Sequence, residues 1–138
     1  MATKPKLFVV PIPVYEHKVI CIVTKNPQAV DEAFSRMKLN YCVGKNQRKI
    51  LEGRGGLCWY GCDNTIVIWM AAIPRTPYQI SVLIHEITHA AIQMLSSVGV
   101  PVDAKTDEAV CYLLDYLTQT FLEKMWKNGR GRSKASKQ

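Results

Sequence analysis

Two histidines four residues apart, His85 and His89, enclose Glu86 in the apolar run SVLIHEITHAAIQ. On an α-helix, residues i and i+4 share a face, so both rings can turn one nitrogen toward a single point. At about 2.0–2.1 Å that point suits a zinc ion. Glu86 lies one residue round from His85, too near to be a good third ligand but well set to reach a water on the metal. Zinc lowers the pKa of such a water toward about 7, and a neighbouring carboxylate can take its proton as it attacks a carbonyl. This H-E-x-x-H spacing requires a helix, and Ile84 and Ile87 supply its packing side. The plainer explanation is two core-edge histidines beside a chance glutamate, a coincidence expected in well under about one in a hundred chains of this length.

A catalytic zinc wants a third protein ligand and keeps one position for water. No histidine follows His89, and the third histidine, His17, lies far upstream. A carboxylate is therefore expected, from Asp103, Asp107, Glu108 or Asp115. Glu108 is preferred because it opens the next helix after the short connection SSVGVPVDAKT, off the stripe of Leu113, Leu117 and Phe121. Asp107 is next and Asp103 third, since acids behind a Thr106 cap would also simply complement the helix dipole. Gln93, one turn beyond His89, could line a cleft, although a solvated helix face is the commoner explanation.

These side chains need a scaffold. LFVVPIPVY and KVICIVTKN read as two β-runs turning near Glu16 and His17. NPQAVDEAFSRMKLN reads as an amphipathic helix with an Asn26 cap and Pro27 in its first turn. Residues 44–56 are polar, basic and glycine-rich, a loop. LCWYGC and NTIVIWMAAI form a second hairpin through Gly61, Asp63 and Asn64. Thr76 caps the helix bearing the histidines, which Gly99 and Pro101 stop; a last helix runs from about Thr106 to Trp126. The expected fold is α+β: a small antiparallel or mixed sheet packed against the H-E-x-x-H helix, the following C-terminal helix and the N-terminal helix.

At 138 residues this is one domain, residues 1–126, with a core of its own. The net charge of +7 resides mainly in KMWKNGRGRSKASKQ, which holds six of the 18 basic residues and no acid. Residues 127–138 are expected to be a disordered basic tail, able to touch nucleic acid or another polyanion but equally a solubilising device. No apolar run reaches membrane length, so no membrane association is expected. Pro11 and Pro13 break the N-terminal apolar stretch, which argues against a signal peptide. Five cysteines, an odd number, suggest reduced thiols and a cytoplasmic location, with Cys58 and Cys62 structural rather than a metal knuckle.

HEITH followed by DEAVCYLLDYL resembles the gluzincin class of zinc metallopeptidases, nearest to SprT-like and ImmA-like minimal domains and to small phage-encoded metallopeptidase-like proteins. The likeness spans about residues 64–122. It implies zinc held by His85, His89 and Glu108, with Glu86 as general base, in an enzyme cleaving peptide or protein substrates in the cytoplasm (the host's, for a phage protein). It also implies that the strand before the motif helix, NTIVIWMAAI, is an edge strand that pairs with substrate; an ordinary packed strand is the alternative. The chain departs from larger gluzincins in carrying Tyr112 where they have an aspartate. A phenol there could hydrogen-bond the oxyanion of a tetrahedral intermediate, with Tyr78 a second candidate, though core packing is the commoner role for either. No four-cysteine zinc ribbon of the SprT-like kind is present. The competing reading is a non-catalytic, zinc-stabilised module that binds nucleic acid or protein, for instance a phage host-takeover or assembly factor; Trp126 is the lone aromatic of the basic tail, which weakens it.

Overall fold

The computed structural model describes residues 3–39, 51, 53–60 and 63–130. Most of the basic loop read at 44–56, the junction residues Gly61 and Cys62, and the tail from 131 onward lie outside the described residues, and with them the expected polyanion contact. The elements are β1 (Lys6–Ile12), a 3-10 turn (Pro13–Tyr15), β2 (His17–Val23), α1 (Pro27–Arg36), β3 (Gly56–Tyr60), β4 (Thr65–Met70), α2 (Pro77–Ser97) and α3 (Asp107–Arg130).

The fold is α+β, built on one mixed sheet with strand order β1-β2-β4-β3. β1 and β2 are antiparallel, β2 and β4 parallel, and β3 and β4 antiparallel. β4, TIVIWM, is buried along its whole length, as a strand covered on both faces must be. It lies between β2 and β3, which corrects the expectation that this strand is an edge. The edge beside α2 is β3, only five residues long and partly exposed. β1, at the other edge, alternates exposed and buried positions and tolerates Pro11 because an edge strand can spare one amide donor.

Opposite faces of the sheet bury separate cores. Phe8, Val10, Val19, Ile66 and Ile68 meet Leu83, Ile87 and Met94 of α2 and Leu117 and Phe121 of α3. Ile20, Ile22, Val67 and Trp69 meet Val30 and Phe34 of α1 on the reverse side. The Trp69 indole N–H, buried in apolar surroundings, donates to the Thr24 carbonyl at 2.8 Å and so stays satisfied.

The helix starts are fixed locally. The Asn26 side chain accepts from the Gln28 amide at 3.0 Å, ahead of Pro27. Thr76 and Gln79 make a reciprocal capping box at the start of α2. Gly99 ends α2 with φ of 78°, a left-handed conformation that costs glycine little. Thr106 does not cap α3 through its side chain as expected: its hydroxyl donates to the Pro101 carbonyl and accepts from the Asp103 amide, closing the turn instead. α3 continues to Arg130, four residues past the expected boundary, with Lys127 in the last turn, favourably near its negative C-terminal pole. The Trp126 indole donates to the Pro74 carbonyl at 2.9 Å and fastens this end of α3 to the segment leading into α2. Among the described residues no helix is long and apolar enough to cross a membrane.

Candidate metal centre

α2 buries Leu83, Glu86, Ile87, Ala90, Ala91, Met94 and Leu95, so its core face is settled by seven positions at helical spacing. His85 and His89 fall on the opposite, exposed face. Their Nε2 atoms converge to 3.1 Å, with ring centroids 4.8 Å apart and planes at 78°. Two nitrogens sharing one tetrahedral ion at zinc bond lengths stand about 3.3–3.4 Å apart. The pair therefore fits a divalent cation after a shift of a few tenths of an ångström; without one, a single N–H···N hydrogen bond joins the rings.

Glu86 leaves the core face toward β3 and is only 6% exposed. The reason it can approach the sheet is Gly56. A methyl group there would stand 3.0 Å from the Glu86 Cγ, the Trp69 carbonyl oxygen and a Val82 methyl carbon. Gly55 is similarly crowded by Val82, at 3.1 Å. Two glycines at the start of β3 thus let α2 settle against the strand and bring the carboxylate beside the histidines. Burial raises the Glu86 pKa above the ordinary carboxylate value, while His85, His89 and then Arg54 pull it back. Cys58, on the same strand, is pushed up to about 12 by burial and then by the charge of Glu86, so it is a protonated, unreactive thiol.

A cleft of about 370 Å³ opens here, lined by Arg54, Gly55, Gly56, Ser81, Val82, His85 and Glu86. It combines a buried acid, an exposed imidazole and a cation at its rim. Such a set can bind a polar group, take up a proton and stabilise negative charge. Arg54 and the two glycines belong to a stretch read as loop; only the glycine pair carried a signal, as a place of close backbone approach.

The other expected groups sit elsewhere. Glu108 and Tyr112 line a separate groove of about 760 Å³ with Tyr116 and the turn residues Ile12 to Tyr15. Tyr112 is 70% exposed, so it packs neither in the core nor against the histidines. Asp103 is taken up in its turn, accepting from the Lys105 amide at 2.7 Å, and Asp107 is exposed at the head of α3. Asp115 shares a cavity of about 440 Å³ with Ile84, the residue before His85. Tyr78 stands nearer the cleft than Tyr112 does, in a small cavity that also touches Gly55 and Val82. His17 is buried two turns past His89, bonded through Nδ1 to the Tyr15 carbonyl at 2.5 Å and through Nε2 to Ser97 Oγ at 3.1 Å. The Gln93 side-chain oxygen is buried and, among the described residues, has no hydrogen-bond partner. Two of the three expected ligands thus meet. Among the described residues no cluster of three histidine, cysteine or carboxylate side chains is close enough to hold a metal.

No family model matches this chain, and neither does any curated protein or any solved structure.

Proposed function

We propose that the chain is a zinc-dependent hydrolase of peptide bonds, of the gluzincin type. The observation that carries this reading is the convergence of the His85 and His89 Nε2 atoms at 3.1 Å beside a buried Glu86 in an open cleft. A zinc ion held by this pair supplies Lewis acidity toward water and an amide carbonyl. The residues do the rest. Glu86, its proton affinity raised by burial, takes the proton of the attacking water and returns it to the leaving nitrogen. Tyr78, at the adjoining cavity, is better placed than Tyr112 to steady a developing oxyanion.

A third ligand from α3 requires an acid of that helix to swing toward the histidine pair, since among the described residues none stands close enough in this structure. Glu108 faces the turn after β1, whereas Asp115 shares a cavity with α2, which favours Asp115. Among the described residues no strand pairs with the outer edge of β3, whose first residue, Gly56, lines the cleft, so an extended substrate can add there. The test is metal analysis and digestion of a broad peptide library by the purified protein and two variants. Wild type is expected to hold about one zinc per chain and cleave. His89→Ala is expected to lose the metal, and Glu86→Gln to keep it while losing roughly 10²–10⁴-fold in rate. Zinc retained by a wild type that cleaves nothing would return the chain to a non-catalytic binding role.

A further inference from the structure

Among the described residues that line the cleft, Arg54 is the one cation. No hydrogen bond or ion pair among the described residues engages its guanidinium, and its charge acts on Glu86. A rim cation over a cavity of this size selects for an anion. The direction of the strand says which anion. β3 runs from Gly56, packed against Glu86 and Val82, to Tyr60, whose ring stacks on His17 at 6.4 Å. His17 in turn bonds Ser97 at the far end of α2, so β3 and α2 run the same way, both starting at the Arg54 end. A peptide laid antiparallel on the free edge of β3, the better-bonded arrangement, directs its C-terminal side toward Arg54.

Ser81 and Val82, which share the cleft with Arg54, lie about one helical turn before His85 and Glu86, a rise of roughly 5–6 Å. An extended peptide advances about 3.4 Å per residue, so Arg54 stands within about two residues of a bond held at the histidine pair. We propose that Arg54 binds the C-terminal carboxylate of the substrate, making the protein a carboxypeptidase-like enzyme that releases one or two terminal residues. The bond cleaved rests on the hydrolase reading above: water adds across the amide, the C–N bond breaks as C–O forms, and the proton passes through Glu86 to the released amine. The carboxylate preference itself does not depend on cleavage.

Binding is measured by fluorescence anisotropy with the Glu86→Gln protein in zinc-containing buffer, using N-terminally labelled peptides of one sequence. One ends in a free carboxylate, one in a carboxamide, and a third is amidated but carries Glu in place of a terminal Gln. The free acid is expected to bind roughly tenfold tighter than the amide, as a charge-assisted pair would give. Adding Arg54→Gln should bring the two within about twofold, and Arg54→Lys should keep part of the preference. Equal binding in the parent, a preference that survives Arg54→Gln, or no binding of any peptide overturns the proposal. A gain from the Glu side chain equal to that from the free terminus overturns the terminal assignment. Carboxylate preference without cleavage by the wild type would sink the hydrolase reading and leave Arg54's role standing; cleavage without the preference does the reverse.

Discussion

Two of the molecule's recesses contrast sharply. The cleft between α2 and β3 is the smaller, about 370 Å³, and gathers a buried acid, an imidazole and a guanidinium. The groove between α3 and the turn after β1 is twice as large, about 760 Å³, but is lined by Ile12, Val14, Leu113 and three tyrosines, with Glu108 the one charged group among its described residues. Size follows from how α3 lies over the first hairpin. Chemistry follows from how closely α2 can approach β3, and that is decided by Gly55 and Gly56. A reading that assigned Glu108 and Tyr112 to the metal centre drew on both recesses at once, and the structure separates them.

The sharpest way to break this contrast is to remove acids from α3. Asp115→Ala is expected to weaken zinc binding by more than the roughly 10–100-fold that losing a mere supporting group costs, and Glu108→Ala to leave it unchanged. Calorimetric titration of zinc into both variants decides between them, and the reverse ranking would reunite the two recesses. Next in size is Gly56→Ala, whose added carbon meets three neighbours at 3.0 Å. A loss of about 1–3 kcal/mol in urea unfolding is expected, with disturbed zinc binding; a silent substitution would mean that the glycine does not set the spacing.

A smaller effect concerns pH. The folded Glu86 has a raised pKa, so protonation favours the folded state. That contribution is complete below the ordinary carboxylate range and is lost as pH rises through the raised folded value. In chelator-treated protein, Glu86→Gln should therefore be more stable than wild type at neutral pH, and the gap should close as pH falls below the ordinary carboxylate value of about 4. A gap independent of pH would show that ionisation is not its cause. Smallest of all, Tyr112→Phe should change neither turnover nor stability by more than about 0.5 kcal/mol. A large fall in kcat would bring the apolar groove back into the chemistry.

Local signals were well read from the chain. Asn26-Pro27 and Thr76-Pro77 announced two helix starts, and the period of Leu83, Ile87 and Met94 announced which face of α2 is buried. The H-E-x-x-H spacing correctly implied two converging imidazoles. What failed was whatever depends on relative placement. TIVIWM is apolar at every position after Thr65, which already favoured the packed-strand alternative; the expectation of an edge came from the likeness to gluzincins. The flank on which Glu108 lies depends on the roll of α3 about its axis. That roll is set by Leu113, Leu117, Phe121 and Met125 against the sheet, and a shift of one residue in the stripe exchanges one acid for another. Arg54 sat in a polar stretch without periodicity, so its place on the rim was not legible.

The bond from the Trp126 indole to the Pro74 carbonyl joins residues 52 apart in the chain. Contacts of such separation close late, after the entropy of a long intervening loop has been surrendered. The histidine pair needs only local helix to meet, whereas an acid from α3 arrives only once this long closure is made. In a refolding time course, helix formation in α2 should therefore precede tight zinc uptake.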